Sequence, residues 1–365
     1  MSLIRENDIN SMQRSLSLFE NSIHSSATLY QYNLGLDNYM RFVGFQNRYD
    51  DYSSLDSEVI QRHLEDYVIF HNGRNIKKTT IKGHLKPVYL FLDVNRIHYF
   101  PKSINRMIRK DKMKKGNDKP YTNADIQNML DYTNSSRNKA LILFFSSIGG
   151  RPACIVDPVL CFKHLHSMPF GCKALLIYSN SDEEYWGFLT SESAKAFEVY
   201  RDDRITKGEN ITPDSPLFLI EKKHNRLETH LTLEGLYSIF VNLQKKAPIE
   251  KIKVGNRYDK ALMYGFRKRF NTILKIDSNV NSNIAEKLMA HKRGLDGVYL
   301  TPTREECFAE FVKAIPQLTV SKAEKLSLKL EKLESEKDDK IKKLESEMKE
   351  IYKLLERVRL PFENM

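Results

Sequence analysis

The sequence has few cysteines, and their spacing does not favour metal or disulfide chemistry. Only four are present among 365 residues, and none belongs to a C-x-x-C pair of the kind that binds zinc. Four are also too few for a disulfide scaffold. We therefore expect the cysteines to pack as small hydrophobic residues in the core of a protein from a reducing compartment. They are Cys154, Cys161, Cys172 and Cys307.

Long apolar segments are also lacking. No run approaches 18 apolar residues, and the N-terminus has no charged segment followed by an apolar one. Such a run would be needed for a transmembrane helix, and such an N-terminus for secretion. We therefore predict a soluble cytoplasmic protein with no membrane partner.

Basic residues are concentrated in one stretch. The formal net charge is +11, yet residues 1 to 73 hold 5 basic and 10 acidic side chains. Residues 74 to 119 hold 14 basic and 3 acidic side chains, so this stretch alone carries a net charge of +11. Clustered lysines and arginines attract phosphate and release counterions, which predicts double-stranded DNA as a partner. A solvated linker is the alternative interpretation of the same run.

The hydrophobic content is sufficient for two domain cores, because 41% of the 365 residues are hydrophobic. We assign residues 1 to 24 to an N-terminal tail and residues 25 to 112 to a mostly helical domain. Three stretches of that domain have the apolar spacing of amphipathic helices. They cover residues 27 to 45, 55 to 70 and about 77 to 92.

The third of these helices carries lysines opposite its apolar stripe. Lys78, Lys82 and Lys86 recur every four residues, so one helix face presents three ammonium groups in a row. Pro87 falls within the same stretch and predicts a kink or a break. We expect this face to contact DNA.

A basic linker is predicted at residues 113 to 121. Seven of the fourteen residues from 106 to 119 are basic, and Gly116 and Pro120 disfavour regular structure there. Further DNA contacts are expected in and next to this linker, at Arg109, Lys110, Lys114 and Lys115.

The second domain is assigned to residues 122 to 320 and predicted to be mainly helical with a small β-sheet. Residues 140 to 148 are nearly all apolar and predict a buried helix that ends at Gly149-Gly150. Lys173 to Tyr178 and Tyr185 to Leu189 are short β-rich runs around a polar turn, which predicts a hairpin. The fold class is therefore α+β.

The C-terminal segment, residues 321 to 365, is predicted to be a coiled-coil helix. Residues 321 to 359 contain neither glycine nor proline, and 22 of the 39 are charged. Apolar residues follow a four-three spacing from Leu326 to Leu333, and the spacing resumes in another phase from Ile341 to Val358. We expect this helix, about 58 Å long, to pair with another protomer or to fold back on its own domain.

Four short motifs contain residues suited to phosphodiester chemistry. They are Ser146-Ser-Ile-Gly-Gly-Arg151, Tyr264-Gly-Phe-Arg267, Ala290-His291-Lys-Arg and Gly-Val-Tyr299-Leu-Thr-Pro. A guanidinium binds phosphate oxygens through a fixed fork of donors, and a tyrosine phenolate can act as a nucleophile. Tyr264 and Arg267 are three residues apart and share one helix face.

These motifs resemble the active-site boxes of the tyrosine recombinases, also called phage integrases, and are similar to those of archaeal integrases. The resemblance implies a helical core-binding domain, a catalytic domain and site-specific cutting and rejoining of DNA. It implies that Arg151, Tyr264, Arg267 and His291 bind the scissile phosphate and that Tyr299 attacks it. No metal or cofactor is implied. A dimer or tetramer assembled on DNA through the C-terminal helix is expected, at the nucleoid.

The sequence departs from the pattern of this family at two positions. The family has a histidine where Tyr264 stands, and it has a lysine in the hairpin turn that protonates the departing 5′-oxygen. The turn here, Ser179-Asn-Ser-Asp-Glu-Glu184, has no lysine. Lys173, at the start of the hairpin, is a candidate replacement.

Three hypotheses remain open at this stage. The first is an active recombinase, and the second is a catalytically weakened relative that binds DNA or regulates an active enzyme. The third is a nonenzymatic nucleoid or scaffold protein built on the coiled coil. It explains the basic stretch and the C-terminal helix but leaves the four motifs unexplained.

Overall fold

The computed structural model describes residues 13–74, 76–109, 119–221, 230–254, 257–291 and 299–359. The chain divides into two compact units, residues 1–113 (unit 1) and residues 114–365 (unit 2). The division falls at the start of the predicted basic linker. Lys110, Lys114 and Lys115, which we expect to contact DNA, lie outside the described residues.

Unit 1 is helical throughout its described secondary structure. Its helices are α1 (Arg14–Asn21), α2 (Ser26–Phe42), α3 (Tyr49–Ser53), α4 (Ser57–Gly73), α5 (Lys78–Val94) and α6 (Pro101–Met107). Asp56 caps α4, because its side chain accepts a hydrogen bond from the backbone N–H of Glu58. The three amphipathic helices of the sequence correspond to α2, α4 and α5.

Helix α1 belongs to the core of unit 1, although the sequence assigned it to a tail. Phe19 is fully buried, and its ring meets the edge of Phe91 at 6.2 Å between centroids. The backbone N–H of Ser15 also donates to the carboxylate of Asp50 at 2.7 Å. The packed part of unit 1 therefore begins before residue 24.

Helix α5 separates an apolar face from a basic one, as its sequence predicts. Ile81, Leu85, Val88 and Leu92 are buried in the core of unit 1. On the other side, Lys82 and Lys86 are exposed and Lys78 is half-buried. Pro87 lies inside the helix and is buried. Arg109 is exposed beyond the end of α6.

Unit 2 combines a larger set of helices with two small antiparallel sheets. The helices are α7 (Asn123–Asp131), α8 (Ser136–Ile148), α9 (Ser191–Thr206), α10 (Leu233–Lys246), α11 (Tyr264–Thr272), α12 (Ser282–Leu288), α13 (Arg304–Leu318) and α14 (Lys322–Arg359). The strands are β1 (Leu165–Ser167), β2 (Lys173–Ile177), β3 (Tyr185–Leu189), β4 (Lys253–Val254) and β5 (Arg257–Tyr258). The prediction of a mainly helical protein with a small sheet is confirmed.

Helix α8 forms the centre of unit 2 because its residues from 140 to 148 are mostly apolar. Ten of its residues, from Arg137 to Ile148, are buried. It ends at Gly149, whose φ of 55° lies in the left-handed region. A side chain at Gly149 would meet the Cβ of Phe270 at 2.4 Å, so only glycine fits here.

The main sheet has the order β1-β2-β3, and its hairpin matches the prediction closely. Strand β2 pairs with β3 in a register that aligns Lys173 with Leu189 and Ile177 with Tyr185. Strand β1 was not predicted, because its three residues are too few to show an alternating pattern. The hairpin turn between β2 and β3 contains residues 178–184.

The end of α13 is fixed by two charged side chains. Arg269 on α11 is buried and donates to the carbonyls of Gln317 and Leu318 at 2.9 and 3.0 Å. Glu192 on α9 accepts from the backbone N–H groups of Val320 and Ser321 at 2.7 and 2.8 Å. These contacts satisfy polar groups that would otherwise be buried without partners.

The start of helix α14 packs against the rest of unit 2, and the helix then continues with exposed side chains. Glu324 accepts from Lys195 at 2.5 Å, and Leu328 packs on the core near α13. Further along, the side chains of the predicted apolar seam are exposed: Leu330, Leu333, Ile341, Leu344, Met348 and Ile351. None of the described helices is long and apolar enough to cross a membrane.

Candidate active site

Arg267 connects three parts of unit 2 that are distant in sequence. It lies on the inner side of α11, is 8% exposed, and donates to the carbonyl of Gly149 at 2.9 Å. It also donates to the carbonyl of Met289 at 2.6 Å and approaches Nε2 of His291 at 2.8 Å. Burial, followed by the nearby charge of Arg151, lowers the pKa of Arg267.

His291 is oriented from its other ring nitrogen by Glu286. The Nδ1 atom lies 2.6 Å from the Glu286 carboxylate, which also forms an ion pair with Lys275. A carboxylate only accepts and a guanidinium only donates, so these partners assign the ring proton to Nδ1 and leave Nε2 as the acceptor.

Arg151 follows α8 and faces the same region as Arg267 and His291. It donates to the carbonyl of Ala290 at 3.2 Å and to the carboxylate of Glu183 at 3.0 Å. Its side chain is 35% exposed, so an anion can approach it from solvent. Three predicted site residues, Arg151, Arg267 and His291, therefore meet around residues 289 to 291.

The hairpin supplies aromatic groups behind the two arginines. Burial raises the pKa of Tyr178 to about 12 and holds the pKa of Tyr185 well above its ordinary value. Both phenols therefore remain protonated near neutral pH. Tyr178 also interacts with Arg151 at the turn.

Tyr264 and Tyr299 lie outside this buried group. Tyr264 is the first residue of α11, is half exposed, and lies close enough to Arg267 to contribute to the electrostatics around it. Tyr299 is 76% exposed and follows residues 292 to 298, which are not described. The next residues, Leu300 to Pro302, line a cavity of about 320 Å³.

Lys173 is poorly placed to replace the missing hairpin lysine. It is paired with Leu189, four residues of β2 away from Ile177, or about 13 Å along the strand. Its ammonium forms a salt bridge with Glu198 on α9 at 3.2 Å. The structure therefore holds Lys173 at the end of the hairpin opposite to the turn.

A second cavity, of about 170 Å³, lies next to Arg151 and His291. Arg151, His291 and Lys287 contribute its basic lining, and Glu183 and Glu184 of the turn contribute its acidic lining. Cationic and hydrogen-bonding groups that converge on a small cavity suit a phosphate group. No group of three or more metal-ligating side chains occurs among the described residues.

Three contributors to this site were not predicted from the sequence: Glu183, Glu286 and Lys287. Glu286 and Lys287 lie in the helix that leads to His291. Because they are close to His291 in the sequence, they could have been expected near the site. Glu183 gave no such signal, because its contact with Arg151 depends on how the hairpin packs beside α8.

Glu183 occupies the face of Arg151 that an incoming anion needs. We therefore expect Glu183→Gln to raise the affinity of the protein for inorganic phosphate, measured by phosphorus NMR titration. Exposed ion pairs contribute little, so the gain should be roughly two- to fivefold.

Glu184→Gln is the matched control for this substitution. It removes the same charge one residue away, but the Glu184 carboxylate accepts from the backbone of Asn180 at 2.9 Å instead of binding Arg151. Equal gains in the two variants would mean that net charge alone, and not the contact with Arg151, controls phosphate affinity.

Comparisons with known proteins give similarity in structure only. No protein-family model matches the chain, and no curated protein matches its sequence. The site-specific recombinase XerH, solved in a pre-cleavage complex with its difH substrate, matches with a TM-score of 0.50 and 15% identity. That match covers 79% of this chain and 81% of XerH.

A second similar structure is the integrase of the transposon Tn1549 in complex with transposon right end DNA. It also gives a TM-score of 0.50 at 15% identity, over 82% of this chain and 99% of the integrase. These matches span both units. The chain therefore has the fold of the tyrosine recombinases, as the motifs of its sequence predicted.

Proposed function

We propose that this protein is a site-specific DNA recombinase of the archaeal integrase type, which cuts and rejoins strands through Tyr299. The observation that carries the proposal is that Arg151, Arg267 and His291 meet around residues 289 to 291, next to a small cavity that Arg151 and His291 line. Arg151 comes from a motif more than a hundred positions before those of Arg267 and His291. The structural similarity to DNA-bound recombinases supports the same class of substrate.

The proposed reaction requires no metal or cofactor. The phenolic oxygen of Tyr299 attacks phosphorus and forms a phosphotyrosine bond as the bond to the 5′-oxygen breaks. Arg151 and Arg267 stabilise the charge on the non-bridging oxygens, and His291 donates from Nε2 once it is protonated. The phenol loses its proton to solvent, and the departing oxygen takes one. Reversal of these steps rejoins the strand.

Tyr264 is proposed to assist at the edge of the phosphate site. Its hydroxyl can donate one hydrogen bond, but it is not a cation and not a base near neutral pH. The histidine of the related family can fill those roles. This substitution therefore reduces the expected rate without removing the site.

A catalytically weakened, DNA-binding relative is the alternative function. Two features favour it: the hairpin turn contains no lysine, and Glu183 holds Arg151 in an ion pair. A protein of this kind would assemble on DNA and compete with an active enzyme without cutting. The formation of a covalent complex with DNA distinguishes the two functions.

The basic face of α5 is proposed to bind the DNA backbone. Lys82 and Lys86 are exposed on it, and Lys78 lies one turn earlier. The opposite face of the helix packs in the core of unit 1. Arg109, Lys110, Lys114 and Lys115 extend the same charge into the linker. Contacts of this type carry affinity but no base sequence information.

The apolar seam of α14 is proposed to join protomers into a dimer or tetramer on DNA. Its leucines and isoleucines from Leu330 to Ile351 are exposed in the single chain, with Leu333 61% and Leu344 60% exposed. Pairing with a second α14 would remove this seam from water.

The first test is covalent capture of DNA. Nicked suicide duplexes taken from the flanks of the protein's own gene should yield a protein–DNA adduct that survives denaturation. Tyr299→Phe should abolish the adduct, because the hydroxyl is the attacking group, while DNA affinity is retained. Gel electrophoresis of labelled DNA measures both outcomes. If the wild-type protein binds DNA but gives no adduct, it is the weakened relative.

The second test concerns the basic face of α5. Lys82→Glu combined with Lys86→Glu should weaken binding to unrelated duplexes to a similar degree and flatten the dependence of affinity on salt. Each lost phosphate contact should reduce the slope of log K against log salt by about 0.9. Lys313→Glu, on α13, is the matched control. Unchanged affinity in the double variant would mean that the basic face of α5 is only a solvated surface and does not bind DNA.

The third test concerns assembly through α14. Removal of residues 330 to 365 should lower the oligomeric state, measured by sedimentation, and leave single-site DNA affinity within about twofold. The cut follows Leu328, so the contacts of Glu324 and Leu328 with unit 2 are kept. A full-length protein that remains monomeric at high concentration with DNA present would contradict the proposed role of the helix.

A further inference from the structure

Tyr121 is a buried tyrosine at the start of the described part of unit 2, two residues before helix α7. Its side chain is only 2% exposed, although it carries a polar hydroxyl. A buried hydroxyl needs hydrogen-bond partners. One of its partners lies directly before α11, the helix that carries Tyr264 and Arg267.

Two hydrogen bonds from Tyr121 hold the backbone on both sides of Tyr264. The Tyr121 hydroxyl donates to the carbonyl of Leu262 at 2.9 Å, and the backbone N–H of Tyr121 donates to the carbonyl of Gly265 at 3.2 Å. The side chain of Gln244 donates to the same hydroxyl. Burial raises the pKa of Tyr121, so the hydroxyl keeps its proton near neutral pH and remains a donor.

The ring of Tyr121 packs against the first turn of α11. Its centroid lies 4.9 Å from that of Phe266. A Cβ atom at Gly265 would come within 2.5 Å of the Tyr121 ring, so the helix backbone approaches the ring as closely as only glycine allows. The first turn of α11 therefore has little room to move while Tyr121 is in place.

Helix α11 depends on such support at its N-terminal end. Its N-cap residue is Met263, whose thioether is only a weak hydrogen-bond acceptor. Serine, threonine, asparagine or aspartate at this position would hold the start of the helix through its own side chain. Tyr264 and Arg267 both lie among the first four residues of α11, so a movement of this turn would displace both.

We propose that Tyr121 is a positioning residue for the phosphate site, and so for cleavage. The inference rests on the proposed cleavage by Tyr299. Tyr121 acts through the backbone at residues 262 and 265, which determines where Tyr264 and Arg267 lie relative to the other site residues. A displacement of about 1 Å in such a site can lower a rate by on the order of 100-fold.

Tyr121→Phe tests this role with little change in volume, because it keeps the ring and removes the hydroxyl that donates to Leu262. At saturating protein, the single-turnover rate of adduct formation on the suicide duplex should fall by about 10- to 100-fold. The affinity for the same duplex, measured by gel electrophoresis of labelled DNA, should be unchanged. A residue that only stabilised the fold would not separate the rate from the affinity in this way.

Tyr200→Phe is the matched control. Tyr200 is 4% exposed in the same unit, and its hydroxyl accepts from the backbone N–H of Leu219 at 3.2 Å. The substitution therefore removes a buried hydroxyl and a backbone hydrogen bond, but on α9 instead of next to α11. It should leave the rate unchanged, and thermal melting verifies that both variants are folded. Equal losses of rate in the two variants would overturn the positioning role.

Gly265→Ala disturbs the same contact from the side of the helix. Its methyl group would lie 2.5 Å from the Tyr121 ring, so the ring or the helix has to move, and the rate should fall. Because the two substitutions act on one contact, the loss in the double variant with Tyr121→Phe should be smaller than the product of the single losses. Losses that multiply would mean independent effects and would contradict the inference.

A spectroscopic measurement reports on the site without cleavage. Nε2 of His291 lies 2.8 Å from the guanidinium of Arg267, so the ring nitrogen signals of His291 in nitrogen NMR depend on where Arg267 lies. These signals should shift in Tyr121→Phe and stay in place in Tyr200→Phe. His291→Asn identifies the signals by their loss.

The outcomes distinguish this inference from the proposed function. If the wild type forms the adduct and Tyr121→Phe forms it equally fast, the positioning role is overturned and cleavage by Tyr299 stands. If the wild type forms no adduct, cleavage fails, and the His291 signals decide the rest. A shift in Tyr121→Phe would then still support the positioning of the site by Tyr121, and unchanged signals would overturn it.

Discussion

The buried guanidinium of Arg267 is the constraint on which the site depends. A charge removed from water has to be compensated, and here the compensation comes from the carbonyls of Gly149 and Met289 and from His291. These partners are the end of α8 and the turn after α12, so one side chain sets the distance between them. Any backbone shift at either end would leave part of the buried charge without a partner. The geometry of the proposed phosphate site therefore depends on the hydrogen bonds that compensate one buried arginine.

The local features of this site could be predicted from sequence because each has a local physical cause. The apolar run of α8 requires burial, and the glycine after it provides the left-handed turn that ends the helix. Thr122 caps α7 through a similarly local contact, because its side chain accepts from the backbone N–H of Asp125. The hairpin was predicted to within one residue of β2 and at both ends of β3, since its apolar runs flank a polar turn.

Contacts between distant segments could not be predicted from the sequence in the same way. Helix α1 is short, and only its packing of Phe19 against Phe91 shows that it belongs to a core. The contact between Glu183 and Arg151 could not be predicted either, because it spans 32 positions and depends on the placement of the hairpin. The sequence showed that the turn lacks a lysine. It did not show that an acidic residue in that turn would bind the first arginine of the site.

The base of α14 has a consequence for how protomers could be arranged. Arg269, Glu192 and Glu324 fix the direction in which the helix leaves unit 2. A helix of 38 residues is about 57 Å long, so it works as a lever arm. A tilt of about 5° at its base would displace its tip by about 5 Å over that length. A small change in the contacts of these three side chains would therefore be enlarged along the helix and would shift a second protomer held at its far end.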